Sequence, residues 1–208
     1  FIPLTERNGS ILEVGYFVFT EVCKLLQDNN ITQLGISTIS INLSIVQCMS
    51  RGLVEHFVGI AKRYNVDPAK ICFEITESAT EKSRTILLKI MQELQNHGFS
   101  FALDDYGTGY SNLSHIIDMP FNVIKIDKSI LWNFDKNENA RIMLQSTVEM
   151  MKEMGFIIVV EGVETQEQKR FLNQLKCDYL QGYYFARPMK QDNFLENCLQ
   201  HNTGGCFQ

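Results

Sequence analysis

Polar side chains interrupt the apolar, strand-like runs of this sequence at matching places. Asn42 closes the first run, Glu74 and Glu77 fall in the second, and Asp104 and Asp105 close the third. Lys125 lies in the fourth, Glu161 closes the fifth and Gln181 lies in the sixth. Carboxylates brought together from different strands raise one another's pKa, so a shared site needs a counter-charge. A divalent cation or two would supply it, and an all-oxygen donor set with one amide suits Mg²⁺, Mn²⁺ or Ca²⁺ better than zinc. His56, His97, His115 and His201 stand at no ligand spacing, and no Cys-x-x-Cys pair occurs. Each acidic or amide residue has a plainer reading by itself. Asn42 could form a turn, Glu74 a solvated strand end, and Asp104-Asp105 a loop before Gly107; Lys125 could pair with Asp127 at the surface. Their recurrence at the same end of successive strands favours one shared site.

The elements that must carry these residues alternate between two periods. Ile11, Val14, Val18, Val22 and Leu25 have helical spacing, and Asn29-Asn30 should close that helix. Runs 36–44, 71–77, 99–105, 123–127, 156–162 and 179–185 read as strands. Between them, Ser50 is placed to cap a helix with the apolar face Leu53, Phe57, Ile60 and Tyr64. Ile86, Ile90 and Leu94 mark another helix, with Gly98 as its stop. Leu144, Val148 and Met151 mark a third helix, stopped at Gly155. Thr165 and Gln168 form a capping-box pattern for a fourth, through Leu172 and Leu175. A last helix should start near Gln191. About six β/α units in succession imply a parallel sheet covered by helices, either doubly wound or closed as a TIM-like (β/α)8 barrel. No Gly-x-Gly-x-x-Gly opens a helix, which weakens the dinucleotide-binding alternative. In a barrel, the carboxyl ends of the strands hold the active site. On the residues alone, two chemistries stay open: proton abstraction from carbon beside a metal, as in enolase-like barrels, and metal-assisted phosphodiester hydrolysis.

Composition narrows the partners. A net charge of −5 argues against non-specific DNA binding, where a basic face is expected. No apolar run approaches the length of a membrane span. Cys23, Cys48, Cys72, Cys177, Cys198 and Cys206 form no disulfide framework; Cys23, Cys48 and Cys72 fall in helix or strand runs, so buried reduced thiols in a cytoplasmic setting are expected. One domain accounts for residues 1–202, and 203–208 has no pattern and is expected to be mobile. The sequence starts at Phe1 rather than Met and is expected to be a piece of something longer.

The motifs INLS (41–44), FEITES (73–78), DDYGTGYSNL (104–113), IKIDKS (124–129), VEGVET (160–165) and QGYYFARP (181–188) occur in that order. This series resembles the EAL family of cyclic di-GMP phosphodiesterases, from FIPLTERNG (1–9) to about Asn202, with Tyr106 where phenylalanine is usual. The resemblance implies a (β/α)8 barrel that hydrolyses cyclic di-GMP to linear pGpG with Mg²⁺ or Mn²⁺, in bacterial second-messenger signalling. It implies that Asn42, Glu74 and Asp104 hold one metal, that Asp104 bridges to a second held also by Asp105, and that Glu161 binds metal or its water. Lys125 would hold the attacking water, Gln181 would place water and phosphate, and Glu77 would hold the 104–113 loop in shape. Homodimerisation, and a sensor or GGDEF domain upstream, are further expectations of the resemblance. No Glu-Ala-Leu occurs in the sequence. The family places it before Phe1, on a strand that supplies a metal-ligating Glu and a nearby substrate Arg. The sequence is therefore expected to lack the domain's first strands, and by itself to be inactive or weakened. The rival reading is a degenerate EAL domain that binds cyclic di-GMP or a protein without hydrolysis.

Overall fold

A computed structural model of the chain describes residues 1–28, 33–109, 116–134 and 137–202, without the side chains of 81, 82 and 200–202. The expected close of the first long helix at Asn29-Asn30, the end of the 104–113 segment and the 203–208 tail lie outside the described residues. Six strands are described: β1 (Ile39–Asn42), β2 (Ile71–Thr76), β3 (Ser100–Tyr106), β4 (Val123–Ile126), β5 (Ile157–Val160) and β6 (Tyr179–Leu180). They follow one another in the sheet in chain order, β1-β2-β3-β4-β5-β6. A doubly wound sheet reverses its order at a switch point. Strand order equal to chain order, with helices between parallel strands, is the topology of a β/α barrel. Two compact units divide the chain, Phe1–Phe101 with Ser114–Pro120, and Ala102–Leu113 with Phe121–Gln208, so β3 runs through both.

In the first unit β1 and β2 are parallel, with Ile39 opposite Ile71 and Asn42 opposite Glu74. Leu43 N–H donates to the Glu74 carbonyl and extends the ladder by one bond. Ser44 then stops the strand and starts a helix, Ile45–Cys48. Its hydroxyl accepts from Val46 N–H, Gln47 completes a capping box, and the same hydroxyl donates to Glu6. The core beside β2 is aromatic. Phe19 lies 4.5 Å from Phe57 and 5.9 Å from Phe73 between ring centroids, and Phe73 lies 5.3 Å from Phe99. These rings correct the expected face of helix Ile11–Asp28. Its buried residues are Ile11, Phe19 and Cys23, and Val18 is exposed. A phenylalanine buries more apolar area than a valine, so the helix turns Phe19 inward. Helix Arg84–Asn96 is likewise turned, burying Leu87, Met91 and Leu94 while Ile86 is exposed. The cap expected of Ser50 falls instead to Gly52, whose φ of 78° is the left-handed turn that leads into helix Leu53–Arg63. That helix buries Leu53, Phe57 and Ile60 as read.

In the second unit β4 pairs in parallel with β3 and β5, and β5 with β6. Helix Glu138–Glu153 buries Leu144, Val148 and Met151 and stops at Gly155, with φ 85°. Thr165 and Gln168 form the expected capping box for helix Gln166–Gln174. The last helix, Gln191–Asn202, begins where expected. The sixth strand is shorter than the 179–185 read from sequence. After Leu180 the chain turns, because Gly182 lies against the Val163 backbone and Tyr184 N–H donates to the Val163 carbonyl. Among the described residues no helix is long and apolar enough to cross a membrane.

Candidate metal centre and catalytic site

The residues singled out in the sequence fall into two sets, one in each unit. The first set is Asn42, Glu74 and Glu77. Asn42 is the last residue of β1 and faces Glu74 across the β1–β2 register, so the amide and the carboxylate are neighbours. Asn42 is exposed and Glu74 is buried. Both line a cavity of about 730 Å³ with Glu6, Ser44 and Thr76. Glu77 corrects the sequence reading: it does not end the strand but opens the helix Glu77–Lys82, and it is buried. Thr76 supplies the extended backbone before that helix, and the Thr80 hydroxyl donates to the Glu77 carbonyl at 2.7 Å.

The second set is Asp104, Asp105, Lys125 and Glu161. One carboxylate oxygen from each of Asp104, Asp105 and Glu161 lies within 4.8 Å of the others. Lys125 Nζ stands 2.8 Å from Asp104 Oδ1 and 2.8 Å from Glu161 Oε1. Lys125 and Asp104 are buried, and so is Asp127, so the surface Lys125–Asp127 pair considered from sequence does not form the centre of this network.

Backbone irregularity brings the two adjacent aspartates to one volume. Successive side chains of a regular strand point to opposite faces. Here Leu103 is opposite Ile124 and Tyr106 is opposite Ile126, so three steps on β3 match two on β4. The extra residue makes a bulge, a device that re-aims side chains. Asp105 takes the left-handed conformation, with φ 57°. Thr108 pins the bend by donating to the Asp105 carbonyl from its N–H at 3.2 Å and its hydroxyl at 2.9 Å. The Asp105 carboxyl is pushed above the usual carboxylate range by burial first, then by the charges of Asp104 and Asp127.

Asp127 escaped sequence reasoning as part of the site. Its carboxylate caps the short helix Lys128–Leu131 by accepting from Ser129 N–H at 2.8 Å. The motif Asp-x-Ser after an apolar strand is the signal that could have revealed the cap. Glu161 stands one residue past β5, its N–H donating to the Ile126 carbonyl at 3.0 Å. Gln181 stands one residue past β6 and is exposed. Its N–H donates to the Val160 carbonyl and its carbonyl accepts from Val163 N–H.

The donors of the second unit fit a hard divalent cation. Three carboxylates meet one ammonium, and all ligand atoms are oxygen. Such an arrangement can bind a divalent cation, hold a water beside an ammonium and a carboxylate, and offset charge on a phosphate.

Comparison with known proteins bears on the same residues. The EAL domain family model matches residues 1–188. The chain is 33% identical over 189 residues to the oxygen sensor protein DosP of Escherichia coli, covering 91% of this chain and 24% of that protein. It is 31% identical over 198 residues to the bifunctional diguanylate cyclase/cyclic di-GMP phosphodiesterase MucR of Pseudomonas aeruginosa, covering 94% of this chain and 28% of that protein. The chain thus spans about a quarter of the length of these relatives. Among solved structures, the PaMucR phosphodiesterase in complex with c-di-GMP superimposes with a TM-score of 0.84 at 30% identity, covering 93% of this chain and 78% of that one. A match over nine-tenths of the sequence, in the strand order of a β/α barrel, places this chain in the EAL domain family.

Proposed function

We propose that the chain is the larger part of a metal-dependent phosphodiesterase domain that, completed by the family's Glu-Ala-Leu strand, hydrolyses cyclic di-GMP to linear pGpG. The carrying observation is the cluster of Asp104, Asp105 and Glu161 with Lys125 bound between two of its carboxylates. Membership of the EAL family and likeness to a phosphodiesterase complexed with c-di-GMP support the substrate.

In this reading Asn42, Glu74, Asp104 and Asp105 hold Mg²⁺ or Mn²⁺, with Glu161 as a further ligand. A cation held there would lower the pKa of water and offset phosphate charge. Lys125 orients the attacking water through its ammonium, which the carboxylates of Asp104 and Glu161 hold in place, and offsets charge on the non-bridging oxygens. Gln181 offers an amide to the water and phosphate at the exposed rim. Glu77 keeps the 104–113 segment in shape from its buried position at a helix start. One phosphorus–oxygen bond to a ribose 3′-oxygen is replaced by a bond to water oxygen, which opens the ring to a linear dinucleotide with a 5′-phosphate.

The domain acts in the bacterial cytoplasm as part of a longer, dimeric signalling protein with sensor or GGDEF units. The short share of each relative that it spans supports the multidomain part of this reading. The test is anion-exchange chromatography of cyclic di-GMP incubated in Mn²⁺ with a protein extended upstream through the Glu-Ala-Leu strand; the 208-residue chain by itself is expected to turn over far more slowly. Release of pGpG, lost with chelator and reduced at least about a hundredfold in Asp104→Asn, is expected. Cyclic di-GMP bound without turnover would overturn the hydrolytic reading in favour of a receptor.

A further inference from the structure

Glu161 lies beyond the last ladder residue of β5, so the strand alone does not fix its direction. Two backbone contacts do. On one side its N–H donates to the Ile126 carbonyl at 3.0 Å. On the other, Gly162 turns with φ 74°, and its carbonyl accepts from the indole N–H of Trp132 at 2.9 Å. Trp132 is the only tryptophan in the sequence, and it is 41% exposed. It is a partly covered rim residue rather than a core side chain. The Lys128 ammonium stands 5.1 Å from the ring centroid, and the Trp132 backbone N–H donates to the Lys128 carbonyl at 2.8 Å.

The approach at Gly162 is close. A Cβ there would stand 2.3 Å from Lys128 Cβ and 3.1 Å from Trp132 Nε1, so only glycine lets the turn seat on this helix end. The same helix is capped by Asp127, whose N–H donates to the Tyr106 carbonyl at 3.1 Å. One short helix therefore ties the ends of β3, β4 and β5 together.

We propose that Trp132 is a positioning residue: its indole N–H holds the Gly162 carbonyl and so fixes the turn that aims Glu161 at Lys125, Asp104 and Asp105. This rests on the reading of that cluster as the cation site. Trp132→Phe removes the donor and keeps an aromatic ring.

The test is calorimetric titration of Mn²⁺ into wild type, Trp132→Phe and Asp104→Asn, with the melting temperature of each. Trp132→Phe should bind Mn²⁺ about fivefold more weakly, the scale of one ordinary hydrogen bond, and melt within about 3 °C of wild type. In a protein extended upstream through the Glu-Ala-Leu strand, the same substitution should leave KM for cyclic di-GMP unchanged while kcat falls. If wild type binds Mn²⁺, Asp104→Asn does not, and Trp132→Phe matches wild type, the positioning role falls and the cation site stands. If Trp132→Phe fails to fold, or melts far lower, the bond serves the fold and the positioning role falls. If wild type binds no Mn²⁺, the cation site and the positioning role fall together.

Discussion

Lys125 is the residue on which the charge balance of the second unit turns. Its ammonium touches Asp104 and Glu161, and all three side chains are at least four-fifths buried. Removing one partner of a buried ion pair leaves the others without compensation. Lys125→Met should therefore cost about 3 kcal/mol of stability in metal-free buffer, and added Mg²⁺ should restore part of it. Urea unfolding with and without Mg²⁺ would show this; a loss that Mg²⁺ leaves unchanged would place the role of Lys125 in packing. Asp105 gives the opposite sign. A carboxyl whose folded pKa is raised stabilises the fold in acid, and that contribution is lost as pH rises through the raised value. At pH 7 without metal, Asp105→Asn should melt higher than wild type, helped by the tolerance of asparagine for φ near 57°. A lower melting temperature would contradict the cost of holding the Asp105 charge in this partly buried place. That Asp104 and Asp105 belong together was legible from their place at a strand end. How both reach one volume was not, because alternation along a strand predicts opposite faces and the bulge leaves no mark in residue type.

Local chemistry was the legible part at the scale of elements. Thr165 and Gln168 lie three residues apart and form a capping box whatever the rest of the chain does. Gly98 and Gly155 stop their helices with φ 97° and 85° for the same local reason. Long-range packing was less legible. Val14, Val18 and Val22 fit a helical stripe as well as Phe19 and Cys23 do, and only the aromatic cluster around Phe73 decides between them. The turn after Leu180 likewise depends on Val163, a residue far away in sequence. Ser44 joins both kinds of cause, since it caps its own helix and reaches Glu6 while following Asn42 by two residues. Ser44→Ala should cost about 1–2 kcal/mol in chemical denaturation, and Thr165→Ala about 1 kcal/mol. If Ser44→Ala were neutral, the end of β1 would not depend on this cap.

For the whole molecule, the alternation of periods gave the β/α topology, and the sheet follows it strand by strand in chain order. Among the described residues, Cys23, Cys48 and Cys72 are free and buried. Burial pushes the Cys23 thiol up to about 11 and the Cys48 thiol up to about 12, and Cys72 is buried in β2. Native protein at pH 8 should leave these three thiols unlabelled by a thiol reagent, and unfolding should expose them; rapid native labelling would refute their burial. Because folding favours the neutral thiol, stability from Cys23 and Cys48 is complete below the ordinary value of 9.0 and is lost as pH rises toward 11 and 12.

The central claim is that carboxylates carried by the ends of β3 and β5 form a divalent-cation site. Calorimetric titration of Mn²⁺ into wild type, Asp104→Asn and Glu161→Gln tests it most directly. Saturable binding to wild type, abolished in Asp104→Asn and weakened about tenfold or more in Glu161→Gln, is the predicted result. Equal affinity in all three proteins would contradict it.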